Sequence, residues 1–419
     1  MAEVTRRIGL SLGADVCWPL CYQAIMNRLD LRIPMDGDTI RFEVERMRIE
    51  PFDLREHVPW DVVIDRLTHW YNPRREWIKK ATIMDDVYVF NNPWSVQSME
   101  KLTTYVAMMR LGFPIPETWL IPPKEYAHTE DLAVTLQRYA RHFDLGEIGE
   151  RLRYPLFMKP YDGGAWKAVT KINSEEELRQ AYEGSGRNIM HLQEGVFPFE
   201  KYIRCVGLGP QTRLVRYDPD APLHDRYEMA KGFLDPEDAQ LIRDMTLVIN
   251  AFFGWDFNSC EALLKGGTWY PIDYANPCPD SQVTSLHYHF PWLIKANVRW
   301  SVFAAATKKP LGHLTWSRYF KLVDEELTFR EQLDRYLRIA HRRFETERFE
   351  AFCDQHLHHL EEVAHEFFAS SEARDAVGAK VKALYPEHEV DEFTDLFWER
   401  IQTSRGDEPP GTVQDVAVA

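Results

Sequence analysis

A lysine closing an apolar run, followed at once by paired glycines, is the clearest chemical signature in this chain. The stretch reads Tyr154-Pro155-Leu156-Phe157-Met158-Lys159-Pro160-Tyr161-Asp162-Gly163-Gly164-Ala165-Trp166-Lys167. A lysine inside a sheet is costly unless something negative meets it. Adjacent glycines let backbone N–H groups come close to an anion. With a second strand from Ala168 to Ile172, the pattern reads as a lid over nucleotide phosphates. Neither of the better-known phosphate loops is present: there is no G-x-x-x-x-G-K-[ST], and no G-x-G-x-x-G between a strand and a helix. A β-hairpin with a surface lysine fits the same residues, and this segment alone does not choose between the two.

A second group is acidic. Glu261 lies inside the apolar strand Asn258-Ser259-Cys260-Glu261-Ala262, and Asp273 ends the partner strand in Tyr270-Pro271-Ile272-Asp273-Tyr274-Ala275-Asn276. With Gly266-Gly267 as the turn, both carboxylates fall near the same end of a hairpin. Two close, partly buried carboxylates repel each other and favour a cation between them. Oxygen ligands suit Mg²⁺, completed by substrate phosphates and water, and Asn276 offers a further carbonyl oxygen. The competing reading is a pair of ordinary hairpin-end charges. Asp280 reads as a turn residue.

The elements that must hold these groups follow from periodicity. Residues 1 to 97 alternate between strand-like and helix-like segments, which predicts a small α/β domain with a partly parallel sheet. Ser95 or Ser98 is placed to cap a helix running to about Leu111, closed by Gly112. Ser174-Glu175-Glu176-Glu177 opens another helix with a capping signal. Tyr202 to Gly209 and Gln211 to Tyr217 read as paired strands. Asp235-Pro236-Glu237-Asp238 starts a helix to about Phe253. Beyond Pro291 the chain is helical through Ile401, and the tail from Thr403 reads as disordered.

Composition sets the outer limits. The chain has 419 residues, 45% of them apolar and 27% charged, enough for two or three domains with buried cores. Fifty basic against 65 acidic residues give a net charge of −15, which argues against general nucleic-acid binding. The six cysteines are scattered; Cys17 and Cys21 lack a second pair with histidines for a zinc site, and several of the six lie in apolar runs and read as buried free thiols. The first residues do not fit a secretory signal, and no run approaches membrane-spanning length. A cytoplasmic location, with no membrane or nucleic-acid partner, is the expectation.

The order of parts is a lysine-bearing helix, a strand lysine with a glycine turn, a Gln-Glu strand end, a strand arginine and an acid–acid–asparagine hairpin. This order resembles the ATP-grasp ligase superfamily, which includes D-alanine–D-alanine ligase, glutathione synthetase and ribosomal-protein glutamate ligases. The resemblance covers about residues 90 to 282, and Asn92-Pro93 to Glu100-Lys101 and Gly112-Phe113-Pro114 look like that family's entry to the nucleotide fold. It implies a mixed α/β and α+β chain: an α/β pre-ATP-grasp domain over 1–97, a small lobe with the glycine lid over 98–200, a metal-binding lobe over 201–300, a helical C-terminal extension over 301–402 and a disordered tail over 403–419.

Carried over by position, the resemblance puts Lys101 and Lys159 on the nucleotide phosphates and Gly163 and Gly164 in the closing loop. It puts Gln193, Glu194 and the backbone through Val196 on the adenine edge. Arg204 matches the arginine of the family's Asp-x-Arg-x-x-x-Gly strand, with Tyr202 in place of the aspartate, and Arg216 would stabilise the transferred phosphoryl group. Glu261, Asp273 and Asn276 would hold one or two Mg²⁺ ions, with Mn²⁺ as the alternative metal. Here the spacing is Asp273-Tyr274-Ala275-Asn276, one residue longer than the family's Glu-x-Asn. The implied activity is ATP-dependent ligation of a small-molecule carboxylate to an amine, or a peptide-type equivalent, through an acyl phosphate, giving ADP and phosphate. A homodimer fits the same expectation. A kinase or phosphotransferase on the same nucleotide fold, or a non-catalytic ATP-binding regulator, are the alternatives.

Other candidates carry weaker signals. His287 and His289, two apart, read as structural rather than metal-binding. Arg74, Arg75, Lys79 and Lys80 read as a solvated helix face, with binding of a carboxylate substrate as the competing reading. Asp65-Arg66, at the end of a parallel strand, is a better guess for a substrate contact. His356, His358, His359 and His365 read as part of a packing or oligomer module rather than a metal site.

Overall fold

The apolar runs form β1 (Glu3–Ser11), β2 (Ile33–Met35), β3 (Asp38–Arg46), β4 (Val62–Asp65) and β5 (Tyr88–Phe90). Next come β6 (Thr118–Ile121), β7 (Leu156–Pro160), β8 (Thr170–Ile172) and β9 (Met190–Glu194). The last set is β10 (Lys201–Leu208), β11 (Gln211–Tyr217), β12 (Tyr227–Met229), β13 (Phe257–Lys265) and β14 (Thr268–Asp273). The computed structural model describes residues 2–48, 50–67, 71–98, 100–161 and 169–407. The chain divides into two units: Met1–Ser98, Ile203–Cys260 and Asn276–Ala419 form the first, Met99–Tyr202 and Glu261–Ala275 the second. It is a mixed α/β chain, as expected.

In the first unit a sheet runs β2-β3-β1-β4-β5. β1 is parallel to β3 and β4, β4 is parallel to β5, and only β2 is antiparallel. All four residues of β4 are buried, which is why its sequence is almost continuously apolar: a central parallel strand is covered on both faces. Helix Cys17–Leu29 follows β1, and Asp15 accepts from the N–H groups of Cys17 and Trp18, both at 3.0 Å. The long helix Phe290–Ala306 is buried along almost its whole length. Its Ser301 bonds Tyr22 of the first helix at 2.6 Å. Arg28 of that helix pairs with Glu372 at 2.8 Å, so the C-terminal helices pack on the N-terminal α/β layer. β10, β11 and β12 form an antiparallel ladder in which Ile203 faces Arg216 and Val215 faces Met229.

In the second unit the sheet order is β6-β9-β7-β8, antiparallel throughout. The period of two decides its faces. Leu156, Met158, Met190 and Leu192 join Leu145, Leu152, Ile172 and Leu178 in one core, which leaves Phe157, Lys159, His191 and Gln193 for the opposite face. The covering helices start on good caps. Asp144 accepts from the Gly146 and Glu147 N–H groups, and Ser174 accepts from Glu177 N–H. The part of the β13–β14 hairpin from Glu261 to Asp273 completes the unit.

Two expectations need correction. The lysine helix runs Lys101–Arg110 with Glu100 at its N-cap and no side-chain cap bond. Ser95 lies inside a separate short helix, Pro93–Ser98, because Pro93 supplies its own helix start. The last helix runs Val390–Asp407, so the proposed tail is helical from 403 to 407, where buried Ile401 and Ser404 tie it down. Residues 408–419 lie outside the described residues. His287 and His289 stand on a single 3-10 turn. Both are buried: His287 Nε2 lies 2.9 Å from the His224 carbonyl, and His289 Nε2 lies 3.1 Å from that of Glu228.

Among the described residues no helix is long and apolar enough to cross a membrane. The six cysteines are free, four of them buried.

Candidate active site

One cavity of the second unit gathers most of the predicted residues. Lys101, Lys159, Gln193, Glu194, Val196, Glu261 and Asp273 line it, together with Phe157, Val169, Tyr202, Leu263 and Ile272. Its cavity volume is about 60 Å³.

The floor is the β13–β14 hairpin. Glu261 and Asp273 are direct cross-strand partners, and the register then slips so that Ala262 faces Pro271. Ile272 is therefore an extra residue, a β-bulge. The consequence is chemical. In a regular strand, neighbours point to opposite faces, yet Ile272 and Asp273 both line this cavity. The bulge also frees the Ile272 carbonyl from the ladder. It accepts from Tyr105 Oη at 2.7 Å and from Lys159 Nζ at 3.5 Å.

Each charged group on the floor has a partner. Lys101 Nζ donates to Asp273 at 2.7 Å, and the Tyr202 hydroxyl donates to Glu261. Lys159 Nζ donates to Gln193 Oε1 at 2.8 Å, while Gln193 Nε2 donates to Thr118 Oγ1 at 3.0 Å. The Gln193 side chain thus holds the strand lysine. Lys159 is only 8% exposed. Burial, helped by repulsion from Lys101 and opposed by Asp273 and Glu261, pulls its ammonium down to about 8. His191, opposite Lys159 in the register, is pushed down to about 3, first by burial and then by Lys159 and Lys101. The imidazole is therefore neutral at physiological pH.

The donor set suits a hard cation. Glu261 and Asp273 face each other with oxygen atoms only, which favours Mg²⁺ over softer metals. Among the described residues no group of three or more His, Cys, Asp or Glu side chains is arranged to hold a metal. Two carboxylates alone would leave the other coordination positions of a cation to phosphate oxygens and water.

Gly163 and Gly164 lie outside the described residues. Arg204, Arg216 and Asn276 belong to the first unit. Buried Arg204 donates to Tyr227 Oη at 2.5 Å and Ser259 Oγ at 2.9 Å. Arg216 pairs with Glu228 at 3.1 Å. The Asn276 amide nitrogen donates to the Ser259 carbonyl at 3.4 Å. Asp280 is a turn residue, accepting from Gln282 N–H at 3.2 Å. Asp65, also in the first unit, accepts from Ser11 Oγ at 2.7 Å at the end of β4.

Sequence reasoning missed Phe157, Tyr105 and His191, and simple spacing marks all three. Phe157 is two residues before Lys159 and His191 two before Gln193 on strands, and Tyr105 is four after Lys101 on a helix. It also missed Gly195. A Cβ there would sit 2.2 Å from the Pro155 carbonyl oxygen, a backbone atom that cannot give way. Gly195→Ala is expected to destabilise the protein by about 2 kcal/mol, read as a lower melting temperature. An unchanged melting temperature would refute the close approach.

No family model matches the chain. In sequence it is 26% identical over 174 residues to a D-alanine–D-alanine ligase of Streptomyces griseus, a match covering 38% of this chain and 41% of the relative. Among solved structures, a D-alanine–D-alanine ligase from Bacillus anthracis complexed with ATP overlaps 81% of this chain and 99% of its own, at 13% identity and a TM-score of 0.44. A D-Ala:D-Ser ligase from Enterococcus faecalis overlaps 80% and 100%, at 14% identity and a TM-score of 0.45. Structural overlaps this loose carry no argument about function. The sequence match and the motif pattern nevertheless agree on one superfamily: this chain resembles the ATP-grasp ligases.

Proposed function

We propose that this chain is an ATP-dependent ligase of the ATP-grasp type that joins a small-molecule carboxylate to an amine and releases ADP and phosphate. The observation that carries the reading is the single cavity in which two buried lysines face a cross-strand pair of carboxylates. That arrangement offers both signs of charge to one polyanion: ammonium groups for phosphate oxygens, and carboxylates for the divalent cation that accompanies them. The sequence match to a D-alanine–D-alanine ligase supports the same class.

In this reading the substrate carboxylate displaces ADP from the γ-phosphate to give an acyl phosphate, and the amine then displaces phosphate. Lys101 and Lys159 offset the charge repulsion as the anionic oxygens approach. Glu261 and Asp273 would hold Mg²⁺, which supplies charge neutralisation on the phosphates. Binding requires Lys101 to exchange its Asp273 partner for phosphate, which frees that carboxylate for the metal. Gln193 orients Lys159, and Glu194 with the backbone through Val196 would meet the adenine edge. Gly163 and Gly164 would close over the phosphates and keep water from the acyl phosphate. Arg204 and Arg216 would stabilise the transferred group.

ADP release with pooled carboxylates, with and without pooled amines, tests the reading. Ligation requires both partners for full release. Release with a carboxylate alone and a phosphorylated product indicates a phosphotransferase. Nucleotide binding with no release under any pool indicates a regulator.

A further inference from the structure

The first unit holds a second cavity, apart from the nucleotide residues in sequence and in chemistry. It encloses about 600 Å³ between the end of β3 and the start of helix Asn72–Asp85, a volume typical of small-molecule sites. Phe52, Trp60 and Trp77 give it an aromatic wall, and Arg74 stands in that wall.

Arg74 is the unusual group. The sequence places it on a helix face that reads as solvated, yet it is only 4% exposed. Its guanidinium stacks 5.3 Å over the Trp77 ring. Its Nη2 donates to the Arg48 carbonyl at 2.6 Å, and its Nε has no hydrogen-bond partner. Among the described residues no carboxylate forms an ion pair with it. A buried cation held by one neutral carbonyl is costly, and a carboxylate is the group whose geometry matches a guanidinium fork. Asp65 and Glu50 are near enough to act on it through space but do not close that fork. Glu45 and Glu50 also line the cavity, and Arg46 and Arg48 offset them, so that with Arg74 three basic residues face two acidic ones and the lining carries one net positive charge, which suits a single carboxylate.

We infer that this cavity binds a compact monocarboxylic acid with an apolar, ring-sized body, the acid group on Arg74 and the body against Phe52, Trp60 and Trp77. The inference goes beyond the ligase reading, because it requires no ATP and no residue of the second unit.

The test uses the full chain without nucleotide. Binding of 3-phenylpropionate, its neutral amide and phenyl phosphate is measured by calorimetry and by tryptophan fluorescence, for the native protein, Arg74→Gln and Arg74→Lys. The acid is expected to bind the native protein saturably. The amide, phenyl phosphate and the Arg74→Gln variant are each expected to show at least about tenfold weaker binding, the size of a lost charged hydrogen bond. Arg74→Lys falls between. Equal affinity for acid and amide, equal affinity of the native protein and Arg74→Gln, or no saturable acid binding would overturn the inference. If Arg74→Gln does not fold, the acid–amide comparison on native protein decides. Failure leaves the ligase reading standing, since no ATP is involved.

Discussion

Asp273→Asn is expected to lower ADP release by about a thousandfold at saturating ATP and Mg²⁺. The substitution keeps the size of the side chain and removes only its charge. Asp273 is bonded to Lys101 and faces Glu261, so its loss acts on two partners. A bound Mg²⁺ would lose one of its two proposed protein carboxylates, and Lys101 loses its counter-ion while Lys159 remains nearby. Lys101 is 6% exposed, so the unpaired ammonium also weakens the fold. The Asp273 side chain is 24% exposed, which limits that loss to about 2 kcal/mol, below the range for a fully buried pair. Circular dichroism at the assay temperature separates unfolding from lost chemistry. Turnover within about threefold of native in a folded variant would remove the acidic hairpin from the reaction.

Lys159→Met should act in opposite directions on stability and on binding. The fall of the ammonium from 10.5 to about 8 means that keeping it charged in the empty pocket costs about 3 kcal/mol. Below about pH 8 the lysine is protonated in both folded and unfolded chains, and that cost is fully present. Between about 8 and 10.5 the folded chain has released the proton and the unfolded chain has not, so stability rises with pH. Methionine removes the cost but leaves Gln193 Oε1 without its donor, worth about 1 kcal/mol. The empty variant should therefore melt a few degrees higher than native near pH 7 and lack the rise above pH 8. Nucleotide affinity should fall about a hundredfold, because a charged contact to phosphate is gone. In the native protein, bound phosphate must recover the proton, so affinity should weaken progressively as pH rises above about 8, while the variant stays flat. A destabilised variant that binds ATP normally would contradict both halves.

Much of the second unit was legible in the sequence. The apolar alternation in Leu156–Lys159 and Met190–Gln193 fixed which residues face the core, because a strand has only two faces. Ser174 announced its helix through a short-range bond from its own side chain. The Gly266-Gly267 turn between two apolar runs announced the hairpin that pairs Glu261 with Asp273. The lysine helix was misjudged at its start, where a proline begins a separate short helix. Arg74 was misjudged because charge alone favours solvent, whereas the stacked indole of Trp77 and the cavity around it depend on chain segments brought together only by folding.

By itself, the sequence determined the residue types, the strand lysine, the paired carboxylates and the resemblance to one superfamily, because these depend on local pattern. Only the tertiary structure decided the bulge at Ile272. Nothing in Tyr270-Pro271-Ile272-Asp273 marks which residue will be extra, since that depends on the register against β13. Yet the bulge places the Ile272 carbonyl beside Lys159 and the Asp273 carboxylate beside Lys101.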